Sequence, residues 1–402
     1  VKAPSLLPSL ARGGPWLAHI ASYNPNAGDV LLPVALRDLF GYVLGPIRWH
    51  GVQAHPEVTE PVVADLNRCR GVVVGGGGLF LKDTNANANS GWQWNCSIPA
   101  LRSIQGPLVL FAVGYNRFRG QDDFDPIFTE HLTAVAEKAS YIGLRNSGSI
   151  RAVRRYLPAE LQGKLRYQPC MTTLMTRLYP ELILPERSAP PFVALNCAFD
   201  RSTLRFGDRK PVILRRIAEA MHRIQATIPI RYYAHMSLDD EVLPYLDERG
   251  VKYEYISLQG AAPAEIVRAY SRPALTIGMR GHAQMIPFGC GRPVLSLISH
   301  DKLRWFLEDI GATEWGIEAD DDDLAERLPA IALEMTERAG EVEKRFDAAR
   351  DRLWDVSMRN VADAARAFGI ARGDLGPIPT TAAPAEFSGE RASTVALVRG
   401  DT

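Results

Sequence analysis

The sequence predicts an α/β chain of two Rossmann-like, doubly wound domains in tandem. Three observations carry this. Apolar runs of strand length recur without the alternation of a half-exposed strand, and each leads through a polar or Gly-rich turn into an amphipathic helical pattern. The series breaks at residues 180–191, which hold four prolines in twelve positions, and then restarts. With 402 residues the chain is too long for one ordinary core and long enough for two domains of roughly 150–200 residues.

Taken in order, residues 16–23 read as a strand, 24–28 as a polar loop, and Leu32, Ala35, Leu36, Leu39 and Phe40 as the buried stripe of a helix capped near Asp29. Further strands are expected at 71–74 leading into Gly75–Gly78, at 108–113 leading into Gly114, and at 141–144 leading into Arg145-Asn146-Ser147. Beyond the proline-rich break, strands are expected at 192–197, 230–235, 253–258, 275–279 and 294–298. Helices at 212–226 and 302–310 lie between or after them, with Ile213, Ile217, Met221 and Ile224 on one face of the first and Leu303, Phe306, Leu307 and Ile310 on one face of the second. Residues 333–368 read as a long charged helix or helix pair. The resulting domain expectation is 1–182 for the first domain, 183–345 for the second, 346–372 for a helix crossing back to the first, and 373–402 for a flexible tail rich in Ala, Pro, Gly, Ser and Thr. Two such sheets in tandem match a B-type glycosyltransferase-like architecture, in which ligands lie between the carboxyl ends of both sets of strands.

Composition narrows the function. The formal net charge is 0, from 46 basic and 46 acidic residues, so no overall field draws the chain to nucleic acid or to an anionic membrane, and any anion site must be local. The apolar stretch at 72–81 is interrupted by four glycines and is far shorter than the ~20 residues that span a bilayer. Residues 1–10 lack the apolar core of a signal peptide. Cys69, Cys96, Cys170, Cys197 and Cys290 are scattered, odd in number and free of CxxC spacing, which argues against a disulfide framework or a zinc site and fits a reducing, cytoplasmic setting.

The strongest chemical signal is Gly278-Met279-Arg280-Gly281-His282, between a buried strand and a helical pattern. A strand end delivers Arg280 and His282 to the cleft, and the helix N-terminus adds free N–H groups and partial positive charge. Arginine offers a planar fork for carboxylate or phosphate, and histidine exchanges a proton near neutral pH. Arg145 to Ser149 repeats this logic in the first domain: Ser147 and Ser149 suit either a phosphate site or an ordinary helix cap. Gly76, Gly77 and Gly78 would let backbone approach a ligand or a neighbouring helix. In the loop that follows, Trp92 and Trp94 are candidates for stacking on sugar faces, with a plain surface loop the competing reading. Lys302 is a candidate point charge for phosphate. Asp29 is either a general base or its helix's cap. No metal-ligand spacing is present.

These residues, taken together, resemble the polysaccharide pyruvyl transferase family. Asn26-Ala27-Gly28-Asp29, Gly75 to Leu79, Gly114, Leu144-Arg145 with Ser147, Arg280-x-His282, and Gly291-x-Pro293 leading to Asp301-Lys302 occur in the family's order across about residues 22–311. The chain departs from the family's pattern at Asn146, where an Asp is usual, near Pro169-Cys170, where a second Asp is missing, and at Gly281, where a larger apolar residue is common. The resemblance implies a ketal-forming pyruvyl transferase that moves the enolpyruvyl unit of phosphoenolpyruvate onto a glycan or glycan precursor and releases phosphate. Arg280 and Arg145 would each hold one anion of the donor, helped by Lys302 and the 147–149 loop. His282 would be one member of an acid–base pair and Asp29 the weaker candidate for the other. It further implies no cofactor or metal, and a glycan or lipid-linked oligosaccharide acceptor, the latter bringing a cytoplasmic enzyme to the inner face of the membrane.

Two other classes fit the same layout. A nucleotide-sugar glycosyltransferase of this fold would need a ribose-binding acid in the second domain, for which Glu265 is the candidate; a non-catalytic glycan or anion binding module would need neither acid nor base.

Overall fold

The computed structural model describes residues 15–183 and 190–370. Part of the proline-rich break, the first residues and the tail read at 373–402 lie outside the described residues. Two six-stranded, wholly parallel sheets account for the architecture. The first contains β1 (Trp16–Ala21), β2 (Arg48–Gln53), β3 (Val72–Phe80), β4 (Leu108–Tyr115), β5 (Ala139–Leu144) and β6 (Leu165–Tyr167), in the order β2-β1-β3-β4-β5-β6. The second contains β7 (Val193–Asn196), β8 (Ile230–Ala234), β9 (Tyr253–Ser257), β10 (Leu275–Gly278), β11 (Val294–Ile298) and β12 (Gly316–Glu318), in the order β12-β11-β10-β7-β8-β9.

Each order reverses direction once, between β1 and β3 in the first sheet and between β7 and β10 in the second. Connections leave toward opposite faces at such a point and open a crevice beyond the strand ends, which is where parallel sheets bind ligands. The central strands are buried throughout, as β4, β7, β10 and β11 show, because helices cover both faces.

Local sequence sets the helices that frame the crevice. The Ala27–Leu44 helix is capped by Asn26, whose side chain accepts from the Gly28 N–H; Asp29 is therefore not the cap expected from its position, and its carboxylate is left for other use. The glycine run is not a loop after a short strand but part of β3, with Gly76 at φ 74° and Gly77 at φ 90°. A side chain at Gly76 would also strike Leu32 of the first helix, so these two positions combine left-handed backbone with close helix approach. The charged C-terminal segment is a helix pair, Leu324–Glu337 and Ala339–Ala367. The second of these spans both halves: Phe346 packs on Phe288 and Trp315, whereas Trp354 meets Tyr42, and Asn360 donates to the Tyr167 carbonyl. Among the described residues no helix is long and apolar enough to cross a membrane.

Candidate active site

One pocket lies between the two sheets at both reversal points. From the first domain it is lined by the residues after β1 (Ser22, Asn24, Asn26), by Asp29, by Gly76, Gly77 and Gly78, and by Arg145; from the second come Asp200, Arg205, His235, Arg280, His282 and Lys302. Parallel strands deliver the residues that follow them to one edge, which is why segments so far apart in sequence converge.

The cations divide into two kinds. Arg280 is already committed: its Nε lies 2.9 Å from both carboxylate oxygens of Asp239, Nη2 also bonds Asp239, and Nη1 lies 3.0 Å from Asp200. Asp239 is fully buried and also accepts from the His235 backbone N–H at 2.9 Å, so it is a fixed anchor. Arg205 reaches Asp200 as well, at 3.1 Å, and Asp200 is held well below the usual carboxylate range: burial alone would raise it, but Arg205 and Arg280 outweigh that. These two arginines and two aspartates thus neutralise one another. Arg145 and Lys302 are different. Neither forms an ion pair among the described residues, and the buried Nε of Arg145 has no hydrogen-bond partner at all. Burial, and for Lys302 also the neighbouring Arg205 and Arg145, pushes down the pKa of both. Two cations destabilised by desolvation and mutual repulsion are a socket for an anion.

Glycines make the room these side chains occupy. A Cβ on Gly114 would lie 2.6 Å from Arg145 Nη2, and one on Gly28 would lie 2.0 Å from His282 Nδ1. The imidazole of His282 thus rests on the first turn of a helix from the other domain. Burial first, then the charge of Arg145, holds His282 well below its ordinary pKa, so the ring is neutral. Asp29 moves the other way: burial pushes it up to about 6 against the pull of Arg280, Asn24, Lys302 and Arg145. The pocket therefore presents a neutral imidazole and a carboxylate that titrates near neutrality, beside two unpaired cations.

Not every residue singled out from sequence arrives here. Ser147 and Ser149 lie outside the pocket. Ser147 donates through its backbone N–H and hydroxyl to Asp309, and the Ser149 hydroxyl accepts from the Tyr115 N–H at 2.9 Å. Asn146, the departure from the family's Asp, caps this helix by accepting from the Ser149 N–H at 2.6 Å. Trp92 and Trp94 are corrected too: both are fully buried, Trp92 packs on Phe80 with ring centres 4.9 Å apart and donates to His131 at 2.9 Å, and neither indole face is open to a sugar. The preceding asparagines knit the loop to itself, as in Asn87 donating to the Trp92 carbonyl at 2.7 Å. Conversely, Asp200, Arg205, His235 and Asn116 line the pocket without having been singled out. Asp200 and His235 follow β7 and β8, and that placement is the signal that could have found them.

Two interdomain contacts lie next in sequence to pocket residues, one beside Asp200 and one beside Lys302. Arg201, itself left-handed at φ 56°, donates to Asp83 and Thr84 of the first domain. From the opposite direction Arg119 reaches Asp301 at 2.6 Å and Glu318 at 2.7 Å.

Among solved structures, a putative UDP-N-acetylglucosamine 2-epimerase from Listeria monocytogenes aligns with a TM-score of 0.58 at 13% identity, covering 89% of this chain and 98% of its own. MnaA of S. aureus, solved with UDP, gives 0.57 at 12% identity over 89% and 98%. HepE (Alr3699) of Anabaena, in complex with UDP and glucose, gives 0.52 at 11% identity over 88% and 99%. At such identities the likeness is one of fold, the two-domain B-type glycosyltransferase architecture. No curated protein sequence matches the chain. The family model for polysaccharide pyruvyl transferase matches residues 26–301, a span that begins at the cap of the first helix and ends beside Lys302, and the chain belongs to that family.

Proposed function

We propose that this protein transfers the enolpyruvyl unit of phosphoenolpyruvate onto two hydroxyls of a glycan sugar, forming a cyclic pyruvate ketal and releasing phosphate. The observation that carries this reading is the pair Arg145 and Lys302, one from each domain, neither in an ion pair among the described residues and both lining one pocket with His282 and Asp29. Phosphoenolpyruvate has two anionic groups close together, and two cations from opposing sheets that line one pocket and repel one another suit such a donor. Arg280, spent on Asp239 and Asp200, shapes the wall rather than gripping the donor.

In this scheme a proton goes to the methylene carbon of the donor while a sugar hydroxyl attacks C2 and gives its proton to Asp29. The phosphate–C2 bond then breaks, and the second hydroxyl attacks C2 to close the ketal. The two hydroxyl protons balance the one gained by the new methyl group and the one carried off with phosphate. Asp29, pushed up to about 6, is a stronger base than an ordinary aspartate and still ionised at pH 7.

The nucleotide-sugar alternative loses its candidate acid, because Glu265 accepts from the Ala262 N–H at 2.8 Å to cap its own helix. Incubation of the purified protein with phosphoenolpyruvate and candidate glycans tests the proposal: phosphate release coupled to a glycan heavier by one pyruvate ketal is expected. Consumption of a nucleotide sugar, with phosphoenolpyruvate untouched, overturns it.

A further inference from the structure

His282 has a second neighbour that the family resemblance does not explain. Its Nε2 lies 3.8 Å from the Sγ of Cys170, a buried thiol whose own second partner is the fully buried Thr172 hydroxyl at 3.2 Å. The two elements are docked tightly. Thr173 Oγ1 donates to the Cys170 carbonyl at 2.7 Å, and a Cβ on Gly289, at the end of the helix that His282 begins, would lie 2.1 Å from the Thr172 carbonyl oxygen. The ring is thus gripped on one side by the thiol and on the other by Gly28, with Nδ1 on the Gly28 side.

We propose that Cys170 is a positioning residue acting through His282: its thiol donates to Nε2, holds the ring's own proton on Nδ1, and passes its proton to Nε2 as Nδ1–H protonates the donor's methylene carbon. This deepens the pyruvyl-transfer reading and rests on it. A thiol is a weak acceptor and an imidazole nitrogen a good one, so S–H to Nε2 is the favoured sense, with the Thr172 hydroxyl donating to sulfur behind it. The strongest charges acting on the ring are those of Arg145, His235, Lys302 and Arg280, all basic, and with burial they disfavour an imidazolium; Asp29, next to Gly28, is a carboxylate of the same pocket. A neutral ring can release the Nδ1 proton only if Nε2 gains one in the same event. Burial raises the pKa of the Cys170 thiol, and Arg145 and then Thr172 pull against that rise, so the thiolate left behind is a transient one. When the second sugar hydroxyl gives its proton to Nδ1, the Nε2 proton returns to sulfur and the cycle closes.

Nitrogen-15 NMR of the histidine rings in the full-length protein, with the His282→Asn variant for assignment, is expected to show His282 in the Nδ1–H form. Cys170→Ala is expected to move it toward Nε2–H and to lower kcat about 100-fold, a typical acid–base contribution, with KM for phosphoenolpyruvate within about twofold. Cys170→Ser keeps an O–H donor but not a thiol's acidity, so it should preserve the tautomer and still lose kcat. An Nε2–H ring in the wild-type protein, or an undiminished kcat in Cys170→Ala, overturns the proposal. A wild-type protein inert toward phosphoenolpyruvate would remove the reaction, while the tautomer measurement would still decide the thiol–imidazole contact.

Discussion

Gly28 of the first domain and His282 of the second meet so closely that the glycine's missing side chain is the space in which the imidazole sits: a Cβ at residue 28 would fall 2.0 Å from Nδ1. The candidate site is therefore assembled at a contact between domains. Gly28→Ala is expected to displace the ring, lowering kcat at least 100-fold, and to destabilise the fold by about 1–3 kcal/mol as overpacking does. Steady-state kinetics and urea unfolding of the same variant check both; normal turnover would show that the ring need not sit where it does.

Arg145 and Arg280 should separate cleanly. Arg145→Ala removes an unpaired cation and is expected to raise KM for phosphoenolpyruvate by about 10- to 100-fold, the loss of one charged hydrogen bond or slightly more, with the fold intact.

Arg280→Ala instead strands the buried Asp239 carboxylate and is expected to destabilise the protein by about 3–5 kcal/mol, measured by denaturant unfolding. A change in donor affinity without loss of stability would return Arg280 to the role of a direct donor contact.

Trp92→Ala is expected to cost about 3–5 kcal/mol, the usual range for truncating a buried aromatic, and to leave the affinity of any well-folded remainder for acceptor unchanged. Thermal unfolding alongside acceptor titration distinguishes this from a sugar-stacking role.

Acid should weaken the fold early. Burial lowers His19 and His235 to about 3 and His131 to about 4, and drives His282 and His300 down as well. These rings stay neutral when folded but protonate near 6.5 when unfolded, so below that pH the unfolded chain binds more protons and stability falls, by about 1.4 kcal/mol per pH unit for each net proton. Asp29 and Asp309, both pushed up to about 6, act oppositely between about 6 and their ordinary 3.8, because there the folded state is the one that binds protons. The five histidines outnumber the two aspartates, and the net expectation is a melting temperature that drops steadily from pH 6.5 toward 5. In kcat/KM the ionisation of Asp29 should appear as an acid limb near 6 that Asp29→Asn abolishes.

Much of the fold is legible because buried parallel strands must be apolar over their whole length, so β4, β10 and β11 stand out as runs, and whatever follows them reaches the cleft. The same logic finds Arg145, His282 and Lys302. It misses β2, which is only half buried, and β6 and β12, whose three residues leave no run to see. It places Arg280 in the pocket but cannot reveal that Asp239 and Asp200 occupy its guanidinium, since that pairing is made across space. Trp92 and Trp94 mislead because a polar loop surrounds them in sequence, whereas in the fold the asparagines bond the loop's own backbone and turn both indoles inward.

The interdomain Arg201–Asp83 and Arg119–Glu318 contacts are partly solvent-exposed, and pairs of this kind contribute only about 0–1 kcal/mol each. They lie over a much larger contact, because one buried apolar core runs through both halves and joins Leu31 and Met171 to Met285 and Ile286, so losing either ion pair alone is expected to leave the halves docked. The geometry of the pocket is therefore fixed by buried packing between the halves, with the ion pairs as trim on its surface.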